Sequence, residues 1–217
     1  MNLASDRIAA LAQMAVSRET AAKFDVYVDL LQRWQKIKNL VAPSTLDQIW
    51  TRHIADCVQL VPLIGASKII VDFGSGAGFP GLVLAIVCAD RLGFHVHLVE
   101  SNGRKASFLR EVARVTAAPV TIHAVRIEEF VAKWDGKADL VTARALAPLG
   151  ELLGLSEELL KTGAGTLFLK GQDVGQELTE ATKYWNINAE LIPSVTDSAA
   201  QIVSIRAASR RSEPLGH

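Results

Sequence analysis

The apolar positions of this chain change their period near residue 66. Before that point they recur at three and four: Phe24, Tyr27, Val28, Leu31 and Trp34 make one stripe of an amphipathic helix. "STLD" at 44–47 has the form of a capping box, Ser44 with Asp47 in place of the usual Glu or Gln. It predicts a helix that turns Ile49, Trp50, Ile54, Cys57 and Val58 inward. From Lys68 short apolar runs alternate with helical stretches. "KIIVDF", "FHVHLV", "PVTIHAV", "KADLVTAR" and "GTLFLK" predict strands. Between and after them, "PGLVLAIVCAD", "GRKASFLREVARV", "APLGELLGLSEELL" and "GQELTEATKYW" predict helices, and 186–193 and 201–206 supply two further strands. Such alternation with short connections predicts an α/β fold, a doubly wound, mostly parallel, Rossmann-like sheet with helices on both faces. A helical cap over residues 1–65 is expected to pack as one unit with the α/β domain over 66–217. No repeat or long linker separates them.

The stretch "VDFGSGAGFPG" follows the first predicted strand and fits two templates. From Gly76 it is G-x-G-x-x-G, the dinucleotide fingerprint; from Gly74 it is G-x-G-x-G. Pro80 suits a first helical turn, where its missing N–H is no loss, so the helix is expected to begin near it. In the dinucleotide fingerprint the first glycine follows the strand closely and the third packs inside the helix. Gly76 as first glycine leaves four residues after the strand and puts Pro80 inside the motif. Gly74 as first glycine gives a wider turn, Gly74 to Phe79, suited to a compact nucleoside. Asp72 at the strand's end would repel a pyrophosphate and suit the sulfonium and ammonium of S-adenosylmethionine. The second strand ends in Glu100, which either accepts both ribose hydroxyls of an adenosine or caps the helix near Gly103.

Composition narrows this only a little. Apolar residues at 49% and charged residues at 21% permit a full core. Lys plus Arg equals Asp plus Glu at 23 each, which argues against a uniformly basic surface but allows a local basic patch. Cys57 and Cys88 stand apart, with no Cys or His at metal spacing, and are expected to be buried reduced thiols with no metal site. The longest apolar run, Leu82 to Ala89, is too short to span a bilayer, so no membrane partner and a cytoplasmic location are expected.

The motifs then become specific together. "RWQKIKNLVAP" with "IWTRHIADC", then "VDFGSGAGFPGLVLAI", "LVESNGRKASFLREV", "VRIEEF", "VTARALAPL" and "FLKGQ" run in order from Trp34 to Gln172. With them the chain resembles the bacterial 16S ribosomal RNA guanine-N7 methyltransferases known as RsmG, or glucose-inhibited division protein B. The resemblance implies a class I methyltransferase fold, S-adenosylmethionine as methyl donor, and 16S ribosomal RNA or the small ribosomal subunit as partner. It implies donor contacts from Gly74 and Phe79, from Ile127 and Glu128 against the adenine, and from Arg144, which would face donor and acceptor and act in catalysis. Asp72, Gly76, Gly78 and Glu100 complete the expected donor site. The tail over 173–217 carries no family motif, and a monomer is expected.

Methyl transfer from a sulfonium needs nucleophile, methyl and leaving sulfur held in line. Guanine N7 has a free lone pair and no proton, so it needs no general base. "TARALAP" stands where exocyclic-amine methylases carry Asn/Asp-Pro-Pro-aromatic, and neither cysteine is placed as a nucleophile for pyrimidine C5. Arg144 is expected to clamp guanine O6 or a phosphate. Guanine N7 lies in the deep, narrow major groove of RNA, so the target must be unpaired. The expected RNA contacts are Arg52, His53, Arg104, Lys105 and Lys170, with Arg33, Lys36 and Lys38 as weaker candidates on the cap. His53 and Asp56 sit one turn apart, and a hydrogen bond between them competes with a substrate contact. Trp34 and Trp50 are expected in the core. His95 and His97 are expected to pack along a central strand. Two other readings remain: a nicotinamide-dependent oxidoreductase built on "GAGFPG", and a non-catalytic RNA-binding module.

Overall fold

The structure is a computed structural model and describes residues 2–37 and 39–212. The chain opens with α1 (Leu3–Gln13) and α2 (Arg18–Gln35). Ser17 starts α2 by accepting from the Thr20 N–H, and Ala21, Phe24, Tyr27, Val28 and Leu31 form its buried stripe. The alternating region gives β1 (Ile69–Phe73), α4 (Gly81–Val87), β2 (His95–Val99), α5 (Gly103–Thr116), β3 (Val120–His123) and α6 (Ile127–Lys133). It continues with β4 (Leu140–Arg144), α7 (Leu149–Lys161), β5 (Gly165–Lys170), α8 (Val174–Thr182), β6 (Trp185–Pro193) and β7 (Gln201–Arg210). The seven strands lie in the order β3-β2-β1-β4-β5-β7-β6, parallel except for β7, which runs antiparallel to β5 and β6. The strand order reverses between β1 and β4, the place where open α/β sheets bind ligands.

Alternation along the strands divides the core. Ile70, Leu98, Leu140 and Leu167 face α4, α5 and the N-terminal helices, and form one buried cluster with Phe24, Tyr27, Leu31, Trp50 and Phe108. Val71, Phe73, Val141 and Phe168 face the other way, onto Leu149, Leu152 and Leu153 of α7. Residues on both sides of position 66 therefore share one apolar cluster. Trp50 is fully buried, whereas Trp34 is half-buried and donates its indole N–H to Glu111 of α5.

The segment predicted as one capped helix is irregular. Pro43–Gln48 is a 3₁₀ turn, Trp50–Ala55 is π-helical, and α3 (Asp56–Val58) closes it. Neither Ser44 nor Asp47 caps it. Asp6 of α1 does so instead, from 44 residues away. Its fully buried carboxylate accepts from the Trp50 N–H at 2.8 Å and from the Thr51 N–H and hydroxyl. Asp6→Ala is expected to cost about 2–3 kcal/mol, the usual loss for hydrogen bonds to a buried charged acceptor, read as a drop in the urea midpoint.

His95 and His97 do not lie on a central strand, because β2 is next to the edge strand β3. With His123 they form a histidine cluster: His97 Nδ1 meets His123 Nε2 at 3.0 Å, and His95 meets the Thr121 hydroxyl. Phe130 of α6 and Trp134, which follows that helix, close over it edge-on. Burial, with the neighbouring imidazoles, lowers His97 to about 4, and lowers His95 and His123 in the same direction. The unfolded chain therefore takes up more protons than the fold below about pH 6.5, and histidine stability is complete above that value and lost as pH falls toward 4. Asp72 acts oppositely. Burial raises it to about 6, so the fold gains a proton, and stability, between about 6 and its ordinary 3.8. Three clustered imidazoles outweigh one carboxyl, and the urea midpoint is expected to fall between pH 7 and pH 4.5. His97→Phe should flatten that slope; an unaltered slope would mean that the cluster protonates freely in the fold.

Candidate active site

Strand register gathers the candidate residues. Phe73 pairs with Val99 and with Ala143, so Gly74, Glu100 and Arg144 leave the sheet at one level, and Lys170 follows Leu169, the partner of Arg144. The turn from Gly74 to Pro80 needs backbone that only glycine adopts easily: φ is +62° at Gly74, +57° at Gly76 and +99° at Gly78. Glu100 pins this turn. Its Oε2 accepts from the Gly76 N–H at 2.9 Å and its Oε1 from the Asn102 N–H at 2.7 Å. Asn102, not Glu100, caps α5.

A cavity of about 360 Å³ opens beside the turn at the switch point. Gly74, Glu100, Ile127 and Glu128 line it, as expected donor contacts should, and so does Lys105, which the sequence placed on the RNA side. Ser101, Arg126, Glu151 and the loop Ala145–Ala147 line it as well, and sequence reasoning missed them. The loop follows β4, and β4 flanks the switch point, which is the signal that could have found it. Leu146 lies against Gly74, where a Cβ would meet its Cδ1 at 2.6 Å. Ala145 is held at φ +49°, an unfavourable backbone for alanine.

Five expected donor contacts stand elsewhere, Arg144 among them. Asp72 is fully buried below the turn: Thr142, its register partner, donates to Oδ1 at 2.7 Å, and Oδ2 has no hydrogen-bond partner among the described residues. Its charge acts from beneath the cavity rather than from the lining. Gly76 and Gly78 shape the turn from behind. Phe79 is buried in a stack between Tyr27 and His53, with centroids 5.6 and 4.9 Å away.

Arg144 projects over the Phe79 ring, its guanidinium carbon 5.0 Å from the centroid. Nη1 donates to the Arg52 carbonyl at 3.0 Å and to Asp56 Oδ2 at 3.2 Å, and Nη2 donates to His53 Nδ1. With Nδ1 accepting, the His53 proton sits on Nε2 and donates to Thr45 Oγ1, which donates to the Ala42 carbonyl. Burial, then Arg144 and Arg52, lowers His53 to about 3, so it stays neutral at any working pH. His53 and Asp56 thus both grip Arg144 and not each other. Asp56 Oδ1 accepts in turn from Gln59 and from Thr196 of the β6–β7 connection.

Two further cavities flank Arg144, and both reach Ala145. One, about 620 Å³, is polar and lined by Thr45, Arg52, Asp56 and Ser198. The other, about 480 Å³, has Leu146, Pro148, Leu169 and Ile202 in its wall with Lys170 and Glu177. Of the expected RNA contacts, Arg52 is half exposed beside the first, in a loose pair with Asp197 at 3.6 Å, and His53 lines the same cavity although largely buried. Arg104 is exposed on the first turn of α5 and borders none of these cavities. Lys170 is committed within the fold to Ala147 and Glu177. Lys38 lies outside the described residues. Both cysteines are free thiols, buried, and burial raises both.

A parallel sheet of this order, a glycine turn at the switch point and an acidic residue ending β2 define a class I methyltransferase fold. Solved structures agree. A SAM-dependent O-methyltransferase from Thermotoga maritima aligns at TM-score 0.55 and 16% identity, over 86% of this chain and 73% of that one. TrmK of M. capricolum, in complex with S-adenosylhomocysteine, aligns at 0.52 and 15%, over 74% and 70%. Sequence comparison is narrower. The model of the family "GidB: rRNA small subunit methyltransferase G" matches residues 20–204. Proteins named ribosomal RNA small subunit methyltransferase G are 55% identical over 210 residues in Bradyrhizobium sp. ORS 278 and 56% over 203 residues in Bradyrhizobium sp. BTAi1. They are matched over 97% and 94% of this chain and 95% and 91% of their own lengths. The chain belongs to the rRNA small subunit methyltransferase G family.

Proposed function

We propose that the protein transfers the methyl group of S-adenosylmethionine to N7 of an unpaired guanine in 16S ribosomal RNA. The donor fits the residues present: the cavity begins at Gly74, where any Cβ would strike Leu146, and Glu100 keeps lone pairs for ribose hydroxyls. When bound, the donor supplies an electrophilic methyl on a sulfonium. The chain's part is to hold the acceptor in line across Ala145–Ala147, the loop shared with the acceptor-side cavity.

The observation that favours N7 is the state of every candidate base on the acceptor side. Asp56 is bound to Arg144, Glu177 to Lys170, and the His53 Nδ1 lone pair is occupied by Arg144. Among the described residues lining the two acceptor-side cavities, each carboxylate and imidazole is already paired with a cationic side chain, Asp197 through Arg52. An exocyclic amine or a hydroxyl would lack an unpaired base, whereas N7 needs none. The buried thiols supply no nucleophile for pyrimidine carbon. The 360 Å³ volume and Asp72 beneath it suit a nucleoside sulfonium better than a dinucleotide.

The test is methyl transfer from labelled donor to small-subunit RNA, with N7-methylguanine mapped with and without the protein. One new N7-methylguanine is the expected result. RNA binding without transfer would reduce the protein to a binding module. Retention of NADH with no affinity for S-adenosylhomocysteine would remove the methyltransferase reading.

A further inference from the structure

The cavity of about 480 Å³ holds two charged side chains whose hydrogen-bonding capacity is partly unspent. Lys170 has three N–H donors. One goes to the Ala147 carbonyl at 2.8 Å, and the ammonium pairs with Glu177 Oε2 at 2.6 Å, so at least one donor is free. Glu177 Oε2 also accepts from the Leu149 N–H at 2.7 Å, while Oε1 has no partner among the described residues. The Lys170 side chain is only 9% exposed, so its position is fixed by the fold.

Resting on the N7 reading above, we propose that Lys170 and Glu177 select guanine by its Watson–Crick edge. The third Lys170 N–H donates to O6, and Glu177 Oε1 accepts from N1–H and the 2-amino group. The order of groups along the cavity matches the order around the base. The loop Ala145–Ala147 divides this cavity from the donor cavity, Lys170 is bonded to that loop, and Glu177 lies next to Lys170. Around guanine the order is N7, O6, N1–H, 2-amino. A base with N7 toward the dividing loop therefore brings O6 to the ammonium and its two donors to the carboxylate. Leu146, Pro148, Leu169 and Ile202 offer apolar surface for the ring faces.

Adenine in the same pose would set its 6-amino group against the ammonium and the N1 lone pair against the carboxylate, two repulsive contacts. The arrangement also spares the nucleophile. A bidentate arginine on O6 and N7 is the commonest guanine contact, and it would occupy the lone pair that must attack. A lysine reads O6 as a point donor and leaves N7 free.

The experiment measures kcat/KM on small-subunit RNA carrying guanosine, inosine or 2-aminopurine at the methylated position. Inosine lacks the 2-amino group; 2-aminopurine lacks O6 and N1–H. A site that hydrogen-bonds a group rejects the analogue without it, so each substitution should lower kcat/KM at least tenfold in the wild type. Glu177→Gln keeps an amide oxygen for Leu149 and Lys170 but presents an N–H donor where Oε1 stood. It should shrink the guanosine-to-inosine ratio to about threefold or less, with S-adenosylhomocysteine affinity kept, since Glu177 does not line the donor cavity. A wild-type guanosine-to-inosine ratio below tenfold, or a wild-type ratio retained in Glu177→Gln, overturns the proposal whatever the variant's stability. Wild-type protein that fails on the guanosine substrate itself overturns the N7 reading instead.

Discussion

Arg144→Ala is expected to lower kcat/KM for methyl transfer at least tenfold, about 1.4 kcal/mol of lost transition-state stabilisation. Three acceptors and one aromatic face hold the guanidinium between the two acceptor-side cavities. Of its five N–H donors, two on Nη1 and one on Nη2 are spent within the protein. The Nε–H and the second Nη2 hydrogen remain for a phosphate. Truncation also strands the Asp56 carboxylate. The Arg144–Asp56 pair is about one-sixth exposed, so its loss should cost less than the 3–5 kcal/mol of a fully buried pair, about 2 kcal/mol. Arg144→Lys is not a conservative control, because an ammonium cannot span Arg52, Asp56 and His53 in one plane. Asp56→Ala separates the roles. It loosens the guanidinium without removing it, so it should raise KM more than it lowers kcat, whereas Arg144→Ala should reduce both kcat and kcat/KM. Unchanged kinetics in Arg144→Ala would leave the residue with a purely structural role.

Gly78→Ala is expected to destabilise the protein by about 3 kcal/mol, or to prevent folding. Its φ of +99° disfavours any side chain, at a cost of about 1–3 kcal/mol. The new methyl would stand 2.5 Å from the Tyr27 hydroxyl and 2.8 Å from Leu82 Cβ. Leu82 Cβ is fixed to α4, and the Tyr27 hydroxyl is bonded to the Ala77 carbonyl in the core, so neither yields without loss of packing. The urea midpoint measures the effect. Gly76 provides the contrast. A Cβ there would meet only the Gly74 carbonyl at 3.7 Å, so Gly76→Ala should carry the backbone cost alone. Equal losses at the two positions would show that the Tyr27 and Leu82 contacts carry no weight.

The sequence by itself determined the alternation of strands and helices, the glycine turn after β1, and the carboxylate ending β2. Each is written locally: a strand by its apolar run, a turn by glycine's tolerance of positive φ, a helix start by Pro80 or Asn102. The family was equally legible, because its motifs are short contiguous segments. What surrounds Arg144 was not. His53 and Asp56 are one turn apart, and local spacing suggested a bond between them; they meet at a guanidinium 91 and 88 residues away. "STLD" looked like a cap because a capping box is a local pattern, yet the helical turn that is capped starts later, and its Trp50 and Thr51 N–H donors are taken by Asp6, brought over by the packing of α1. Phe79 was assigned to the donor by the family resemblance and Lys170 to RNA by its charge; tertiary packing seats Phe79 in an aromatic stack and pairs Lys170 with Glu177, partners that neither signal contained. Periodicity and turn chemistry act over a few residues, so they survive in a one-dimensional string. The partner of a buried polar group is settled only when distant segments close together and every donor there must find an acceptor.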